Sequence, residues 1–437
     1  MNSAPASDLQ PLTSLFVLGL DGVPYSLVER WTASGDLPCL AALAEQAGLR
    51  RIRSELPPVS SVAWTSFVTG TDPATHGIFG FVDRVAETGE LFVPTARNRR
   101  SATIWQRLSA QGRPAIAVNV PGSYPPDDIR GCIVAGFLSP ALDRATNRPD
   151  IARRLAEMEY VIDVDAALGR NEDKGPFLKA LHQALTRRRD LALWLLDHEP
   201  WDYFHLHIME TDRINHFLWG AHDDPDHPHH GDFREFYREV DALVGELIGR
   251  VSGHARWLVL SDHGFSRTRA EANVNALLRD LGFLRYRPSE AMNLDPVEPT
   301  SKAFSLLPGR IYVNLAGRER RGSVPRENYE ALLAEIAQAL GHVTDPRTGE
   351  RVFTHVHRTR DLYSGPHLAQ ACDLMAIAHE GFDLRAGFRA GEPLAPPSRA
   401  GVHTHDDAFV IAKGVLRGDE ATIRDVGRRV GEVMTKV

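Results

Sequence analysis

Residues of the kinds that bind metal ions lie beside several short apolar runs of this sequence. These residues are Asp21, Asp212, His216, Asp262, His263 and His403. Three imidazoles and three carboxylates suit zinc and also accept manganese, whereas oxygen ligands alone would indicate magnesium or calcium. The residue types therefore predict a site for a metal such as zinc.

Two pairs among these residues have spacings that bring their side chains together. Asp212 and His216 are four residues apart, which on a helix places both side chains on one face. Asp262 and His263 are neighbours, and we expect a turn forced by Gly264 to let both enter one pocket. Either pair alone can occur by chance. Their recurrence at successive strand ends indicates one site, because open α/β sheets bind ligands there.

A serine lies where a helix is predicted to begin. Pro57 and Pro58 favour extended chain, and the following residues are typical of a helix that ends at Gly70. Ser60 and Ser61 therefore lie at a helix N-terminus. From this stretch alone the ordinary interpretation is that one of them is the N-cap. The alternative is an anion site at the helix start, with a hydroxyl placed for nucleophilic attack.

The elements that must position these residues alternate between strand and helix patterns. The predicted strands are Leu15–Leu20, 115–120, 203–209, 257–260 and 408–414. The predicted helices are 37–48, 61–70, 102–111, 177–197, 233–251, 326–340 and 420–434. Short apolar strands that alternate with helices predict an α/β fold, with a mostly parallel sheet sandwiched by helices.

The alternation is interrupted between residues 271 and 397 by stretches rich in proline and arginine. We therefore predict a catalytic core formed by residues 13–270 and 398–437, with 271–397 inserted as a cap that selects the substrate. Residues 1–12 are predicted to be a flexible tail. Within the cap, Arg310 and Tyr312 are candidates for an anion contact and a stacking surface, although packing is the more ordinary role of each.

Composition and charge restrict the functions that are open to the chain. Its 437 residues carry 50 Lys and Arg and 57 Asp and Glu, a net charge of −7, which argues against a dedicated nucleic-acid surface. The three cysteines, Cys39, Cys132 and Cys372, form no Cys-x-x-Cys pair. We find no signal peptide and no membrane span, so we expect a cytoplasmic protein.

Several motifs resemble those of a known family. They are GLDG (19–22), PPVSSVAWTSFVTGTDPATHGIFGF (57–81), NVPGSYPP (119–126), AGFLSP (135–140), the Asp212/His216 pair, LSDHGF (260–265), GRIYVNLAGRE (309–319), DLYSG (361–365) and GVHTHDDAF (401–409). The chain resembles the type I phosphodiesterase/nucleotide pyrophosphatase family of the alkaline phosphatase superfamily, in particular its cytoplasmic bacterial branch of predicted phosphohydrolases or phosphomutases. The resemblance covers nearly the whole chain and implies an alkaline-phosphatase-like fold.

The resemblance also implies two divalent metal ions, zinc or alternatively manganese. One ion would be held by Asp212, His216 and His403, and the other by Asp21, Asp262 and His263, with Ser60 joining the second as the nucleophile. Family members mostly have threonine where Ser60 stands, and Ser61 remains a weaker candidate. Nucleotide pyrophosphatases usually have an asparagine three residues after the nucleophile. Ala63 occupies that place here, which argues against a nucleotide substrate.

The expected function is hydrolysis of a small-molecule phosphoric ester through a phosphoserine intermediate. The phosphoryl group would pass to the Ser60 hydroxyl and then to water. A phosphotransferase or phosphomutase on the same core is the main alternative, since only the acceptor differs. A non-catalytic binding protein is a third possibility, although no ligand position is missing.

The remaining histidines and one cysteine are predicted to have other roles. His405 is expected to be structural or solvated, or else a rival ligand to His403. The tract of His222, His227, His229 and His230 is expected to form a solvated loop between helices. His76 is expected to pack or form hydrogen bonds. Cys39 lacks the Cys-x-Pro-x-Arg context of a sulfatase nucleophile.

Overall fold

A computed structural model of the chain describes residues 13–85 and 88–435, so the predicted tail 1–12 lies outside the described residues. The strands are β1 (Leu15–Leu20), β2 (Leu49–Ile52), β3 (Asp83–Arg84), β4 (Leu91–Phe92), β5 (Ala115–Val118), β6 (Gly131–Val134), β7 (Tyr203–Ile208), β8 (Arg256–Leu260), β9 (Gly264–Arg267), β10 (Ala270–Asn273), β11 (Ala303–Leu307), β12 (Arg310–Val313), β13 (Phe353–Arg358), β14 (Leu374–Ala378), β15 (Phe382–Arg385), β16 (Leu394–Ala395), β17 (Gly401–Thr404) and β18 (Ala408–Lys413).

Each of the seven predicted helices corresponds to a helix of the structure, which contains further helices that were not predicted. The helices are α1 (Tyr25–Ser34), α2 (Pro38–Ala47), α3 (Ser60–Thr69), α4 (Pro73–His76), α5 (Ile104–Ala110), α6 (Pro149–Glu157), α7 (Ala166–Arg170), α8 (Gly175–His198), α9 (Glu210–Leu218), α10 (Gly220–Asp223), α11 (His230–Val251), α12 (Val274–Asp280), α13 (Tyr329–Gly341), α14 (Thr359–Leu362) and α15 (Ile423–Thr435). None of these described helices is long and apolar enough to cross a membrane.

A seven-stranded sheet in the order β2-β18-β8-β1-β7-β5-β6 forms the centre of the molecule. Strands β8, β1, β7, β5 and β6 are parallel, whereas β18 runs antiparallel to both of its neighbours. Every residue of β1 and β7 is buried, because helices cover both faces of the sheet and leave no solvated side. The predicted α/β fold, a mostly parallel sheet sandwiched by helices, is confirmed.

Residues inserted between β9 and β17 form their own small sheets. Strands β11-β12-β14-β13 make a four-stranded sheet, and β15-β10-β16 make a three-stranded one. Apolar side chains from Ala270 to Phe388 form a cluster separate from the two clusters that cover the central sheet. The chain then returns through β17, which pairs with β9, and through β18, which pairs with β8.

Arg310 and Tyr312 are buried among other side chains, which agrees with the packing role considered for each. Arg310 is 4% exposed, and its Nη1 atom lies 2.6 Å from a carboxylate oxygen of Asp83. Tyr312 is also 4% exposed and stacks on Phe304, with ring centroids 5.8 Å apart. A buried arginine needs a buried anion. The ion pair with Asp83 therefore holds the segment around Asp83 against the inserted region.

A buried carboxyl group precedes the segment that leads into α3, and it makes stability depend on pH. Burial raises the pKa of Glu55 from 4.5 to about 7, although Arg424 partly opposes the shift. Above pH 4.5 the unfolded chain ionises here while the fold still holds the proton, so this group lowers stability as pH rises towards 7. We expect Glu55→Gln to raise the free energy of unfolding by about 3 kcal/mol at pH 8.

The same substitution should leave stability nearly unchanged at pH 4, where the wild-type carboxyl is neutral in both states. Urea unfolding at both pH values measures the difference between variant and wild type. Glu157→Gln, on a glutamate that is 65% exposed at its side chain, is the matched control and should be neutral at both. An equal gain at pH 4 and pH 8 would contradict the assignment.

Candidate metal centre and active site

The predicted ligand residues meet at one edge of the central sheet. Asp21 follows β1, α9 after β7 carries Asp212 and His216, and Asp262 and His263 follow β8, while His403 lies within β17. They form two groups, each with ligand atoms within 4.8 Å of one another: Asp212, His216 and His403 in the first, and Asp21, Asp262 and His263 in the second. The structure therefore divides the six residues into the same two sets that the resemblance implies.

All three imidazoles are oriented by the protein main chain. The Nδ1 atom of His216 lies 3.1 Å from the carbonyl oxygen of Gly401, and that of His403 lies 2.8 Å from the carbonyl of Pro58. The Nδ1 atom of His263 lies 3.1 Å from the carbonyl of Gly264. Because a carbonyl only accepts, each Nδ1 must donate, which leaves each Nε2 of a neutral ring with a lone pair. Metal-binding histidines are held in this way.

In the first group these lone pairs face each other. The Nε2 atoms of His216 and His403 are 3.0 Å apart, and His403 Nε2 lies 3.1 Å from an oxygen of Asp212. Burial is the main reason that the pKa of His216 is lowered to about 3, so this ring is neutral near pH 7. Burial likewise lowers the pKa of His403. Two neutral acceptors and a carboxylate this close together fit a shared cation.

In the second group two buried carboxyl groups lie together. Burial, followed by the negative charge of Asp21, raises the pKa of Asp262. One oxygen of Asp262 accepts from the Gly22 amide at 3.1 Å, but the other has no hydrogen-bond partner among the described residues. Burial opposes protonation of His263, but the Asp262 and Asp21 carboxylates outweigh it and raise its pKa. The second Asp262 oxygen lies 3.4 Å from His263 Nε2. A buried donor set with an oxygen that has no hydrogen bond also fits a cation.

The two groups adjoin each other. The rings of His263 and His403 stack with their centroids 3.7 Å apart. Strand β17 pairs with β9, so that His403 lies opposite Phe265 in the ladder, two residues from His263. The arrangement places two candidate metal positions side by side, as in enzymes that use a pair of ions.

Ser60 projects into the second group from the start of α3. Its Oγ atom lies 3.1 Å from Asp21 Oδ1 and 3.4 Å from His263 Nε2. The N-cap of α3 is Val59, which has extended backbone and no capping side chain, so the interpretation of a serine as the cap is wrong. Ser61 is also not the cap, and its buried hydroxyl has no hydrogen-bond partner among the described residues.

The turn that brings Asp262 and His263 together differs from the predicted one. Gly264 is the first residue of β9 and lies in extended backbone, so it does not force a turn. The bend falls at Ser261–His263 itself, between β8 and β9. A side chain at Gly264 would meet the Thr404 hydroxyl at 2.5 Å, so glycine is needed here for the close approach of β17.

Two residues that the sequence did not single out hold Asp21 in place. His207 Nε2 lies 2.7 Å from Asp21 Oδ2, and the Trp64 indole donates to the same oxygen at 3.2 Å. Burial opposes ionisation of Asp21, but hydrogen bonds from His207 and His263 lower its pKa. Gly19 is required because a Cβ there would lie 2.5 Å from the Trp64 ring. The sequence signal that could have identified His207 is the presence of a histidine in the apolar run of β7.

If Asp21 is a metal ligand, as predicted, His207 should set the affinity of this position for the ion. We expect His207→Phe, which keeps a ring but removes the donor, to weaken zinc or manganese binding by about 10- to 100-fold. Activity should largely return at saturating metal. His207→Gln retains an N–H donor and should bind metal more tightly than His207→Phe. Competition with a chelating dye measures these affinities.

The control for this prediction is His198→Gln, since His198 is an exposed residue at the end of α8. It should leave metal affinity unchanged. Unaltered affinity in His207→Phe would show that Asp21 keeps its orientation without this hydrogen bond.

The other singled-out residues lie outside the two ligand groups. His76 is buried and bonds the Ser66 hydroxyl at 2.9 Å, as predicted. His405 belongs to neither group, and its main-chain carbonyl accepts from Ser54. His222 is buried against Trp219, with ring centroids 4.3 Å apart, so its predicted place in a solvated loop is wrong.

Two further expectations can be compared with the structure. The rest of the histidine tract does connect α10 and α11, and His230 begins α11. Ala63 is completely buried in the apolar cluster between α3 and the sheet, so a side chain at this position does not face the ligands. The argument against nucleotides from Ala63 therefore fails. Cys39, Cys132 and Cys372 are free thiols.

Comparison with known proteins points to one family. The profile of the family described as type I phosphodiesterase/nucleotide pyrophosphatase matches residues 15–405. No curated protein is significantly similar in sequence. Similar solved structures include phosphonoacetate hydrolase from Sinorhizobium meliloti 1021 in complex with phosphonoformate, at 18% identity and a TM-score of 0.64, covering 97% of this chain and 96% of that one.

Murine ectonucleotide pyrophosphatase/phosphodiesterase 5, solved as an inactive variant with AMP, is similar at 13% identity and a TM-score of 0.56. The match covers 96% of this chain and 94% of that one. These likenesses confirm the alkaline-phosphatase-like fold, and the family match extends over most of the sequence. The chain belongs to the type I phosphodiesterase/nucleotide pyrophosphatase family and is an enzyme, a hydrolase of the phosphodiesterase or phosphatase type.

Proposed function

We propose that the protein is a two-metal phosphoric ester hydrolase in which Ser60 is the nucleophile. The observation that carries the proposal is the position of the Ser60 hydroxyl, 3.1 Å from Asp21 at one of two adjoining groups of metal-binding side chains. Each group contains at least one imidazole and one carboxylate, a set that zinc prefers and manganese accepts. The proposed ions are therefore zinc, with manganese as the alternative.

The charges of the site favour a bound phosphoryl group. Asp212, His216 and His403 would hold one divalent ion, and Asp21, Asp262, His263 and Ser60 the other. Such ions lower the pKa of a coordinated hydroxyl and offset the charge of phosphoryl oxygens. Three carboxylates against two divalent ions leave a net charge of about +1, a local attraction for anions in a chain of net charge −7.

Ser60 is oriented for attack by its own helix and by Asp21. The extended backbone at Val59 and the start of α3 fix its position, and its hydroxyl donates to Asp21 Oδ1. The main-chain N–H groups of Ser60 and Ser61 precede the first intrahelical bonds, so they and the helix dipole favour an anion here. Attack would form a bond from phosphorus to Ser60 Oγ and break the bond to the ester oxygen.

The second half of the reaction would return the enzyme to its starting state. The released alcohol takes a proton, and water then breaks the bond between phosphorus and Ser60 Oγ. Phosphate, or a phosphomonoester from a diester, leaves the site, and the Ser60 hydroxyl is restored.

Arg399 adds a positive charge near the first ligand group. It precedes Ala400, whose amide donates to the main-chain carbonyl of His216, and it has no hydrogen bond or ion pair within residues 13–85 and 88–435.

A substrate panel on the purified, metal-loaded protein tests the proposal. We expect hydrolysis of bis(p-nitrophenyl) phosphate that chelation abolishes and that zinc or manganese restores. Nucleotides, dinucleotides, glycerophosphodiesters, sugar phosphates and phosphonoacetate complete the panel, because the similar solved structures hold AMP or phosphonates. No metal-dependent turnover of any of them would overturn the assignment.

The panel also separates hydrolysis from transfer. If water is the only acceptor, added alcohols or sugars should leave the rate of product release unchanged and should not become phosphorylated. Accumulation of a phosphorylated acceptor would make the protein a phosphotransferase or phosphomutase. The cytoplasmic location remains part of the proposal, and fractionation of cells expressing the protein tests it.

A further inference from the structure

Two phenylalanine rings form an exposed platform on loops beside the ligand groups. Phe81, in the loop after α4, is 43% exposed, and Phe137, in the loop after β6, stacks on it. Their centroids are 5.5 Å apart and their planes differ by 7°. Adjoining exposed apolar side chains mark interaction surfaces, and aromatic rings offer a flat face for an offset-stacked partner.

The platform is continuous with the first ligand group through one arginine. The guanidinium of Arg213 lies over the Phe137 ring, 5.9 Å from its centroid. The same guanidinium pairs with Asp212 at 3.1 Å and with Asp163 at 2.5 Å. Arg213 follows Asp212 on α9, so the ring lies one side chain away from a proposed metal ligand. A substituent on a phosphoryl group held at this site can therefore reach the platform.

The backbone next to Phe137 is held in an unusual conformation that keeps a third apolar side chain exposed. Leu138 has a φ of 79°, which residues with a side chain rarely adopt, and it is 41% exposed. Such conformations concentrate at functional sites. Phe81 and Phe137 form the substituent platform, and Leu138 is the residue that follows Phe137 in the chain.

We propose that the substituent platform binds a flat apolar group of the substrate, so that the enzyme prefers phosphoesters that carry an aromatic substituent. This inference rests on the proposed function, since the phosphoryl group must lie at the two ligand groups for its substituent to reach Phe81 and Phe137. The side chains of the platform carry no hydrogen-bond donor or acceptor, so they offer no partner to the hydroxyl groups of a sugar. An aromatic ring stacks on Phe81 and leaves the phosphoryl oxygens to the cationic side of the site.

Calorimetric titration of the zinc-loaded protein with phenylphosphonate and methylphosphonate tests the inference without requiring turnover. We expect wild type to bind phenylphosphonate about tenfold more tightly than methylphosphonate, the size of one stacked ring. Phe81→Ala and Phe137→Ala should reduce this ratio to about twofold or less, with methylphosphonate affinity unchanged. Phe81→Tyr should keep the preference, whereas Phe81→Leu, apolar but not flat, should lose most of it.

Met292→Ala is the matched control, because Met292 is 45% exposed in the inserted region. It should leave the ratio at the wild-type value. If both alanine variants keep the wild-type preference for phenylphosphonate over methylphosphonate, the inference is overturned and the proposed function is left intact. If neither phosphonate binds the wild type, the proposed phosphoryl site itself is wrong. Self-association that is lost in Phe81→Ala, with an unchanged ratio, would instead assign the platform to contacts between copies of the chain.

Discussion

Replacing Ser60 by alanine should lower turnover of the best substrate by roughly 10³- to 10⁶-fold, the loss seen when a covalent nucleophile is removed. The reason is geometric, because Ser60 carries the only hydroxyl in the described residues that bonds Asp21 through its carboxylate. Metal content should be close to wild type, since three side chains besides Ser60 surround that position. Initial rates and metal analysis on the same preparation measure both quantities.

Ser61→Ala is the matched control for this loss. Its buried hydroxyl has no partner among the described residues, so its removal should cost little activity. Trapped phosphoenzyme, digested and analysed by mass spectrometry, should carry phosphate on Ser60. Full activity in Ser60→Ala would transfer the attacking role to water or to Ser61, and the site of the trapped phosphate would distinguish them.

Replacing Asp262 by asparagine should remove one of the two ions. We expect metal content to fall from about two to about one per chain, and turnover to fall by roughly 10³-fold as several kcal/mol of charge stabilisation is lost. Mass spectrometry of the metal content and initial rates measure the two effects.

In the absence of metal, Asp262→Asn should not destabilise the protein, in contrast to its expected effect on metal content and turnover. Burial and the charge of Asp21 raise the pKa of Asp262, so its ionised form is unfavourable in the fold. Asparagine removes that charge, and the metal-free variant should melt at or above the wild-type temperature. Added zinc should stabilise wild type more than the variant. Asp223→Asn, on a half-exposed carboxylate, is the control and should match wild type in each measurement. Two bound ions in Asp262→Asn would remove this residue from the ligand set.

The sequence predicts the buried strands well because they are short runs with apolar residues on both faces. The structure has β1 at the predicted limits, and β7 and β8 differ from prediction by one residue at one end. Strands β2 and β6 were not predicted. β2 lies at the edge of the sheet and contains Arg50 and Arg51, so its sequence has no apolar run. The antiparallel direction of β18 is set by how the chain returns from the insertion, which local patterns do not encode.

The candidate ligand residues were recognisable because carboxylates and imidazoles at successive strand ends are uncommon as a set, and the structure brings them together. The residues that orient them were not, since their role depends on contacts across the sheet. His207 and Trp64 come from different elements and meet only at Asp21. The same reason explains the error for His222, because its burial results from packing of Trp219 and Trp31 that no local pattern indicates.

The pairing of β9 with β17 fixes Arg267 opposite Gly401, at the points where the chain leaves and re-enters the central domain. The two ends of the intervening segment are therefore held side by side, so that a change in its length would cost little loop-closure entropy. The β9–β17 ladder thus defines a fixed insertion point in the central domain. An insertion of a different length at this point would leave the strand pairing beside His263 and His403 in place, whereas the buried pair of Arg310 with Asp83 would depend on the new sequence.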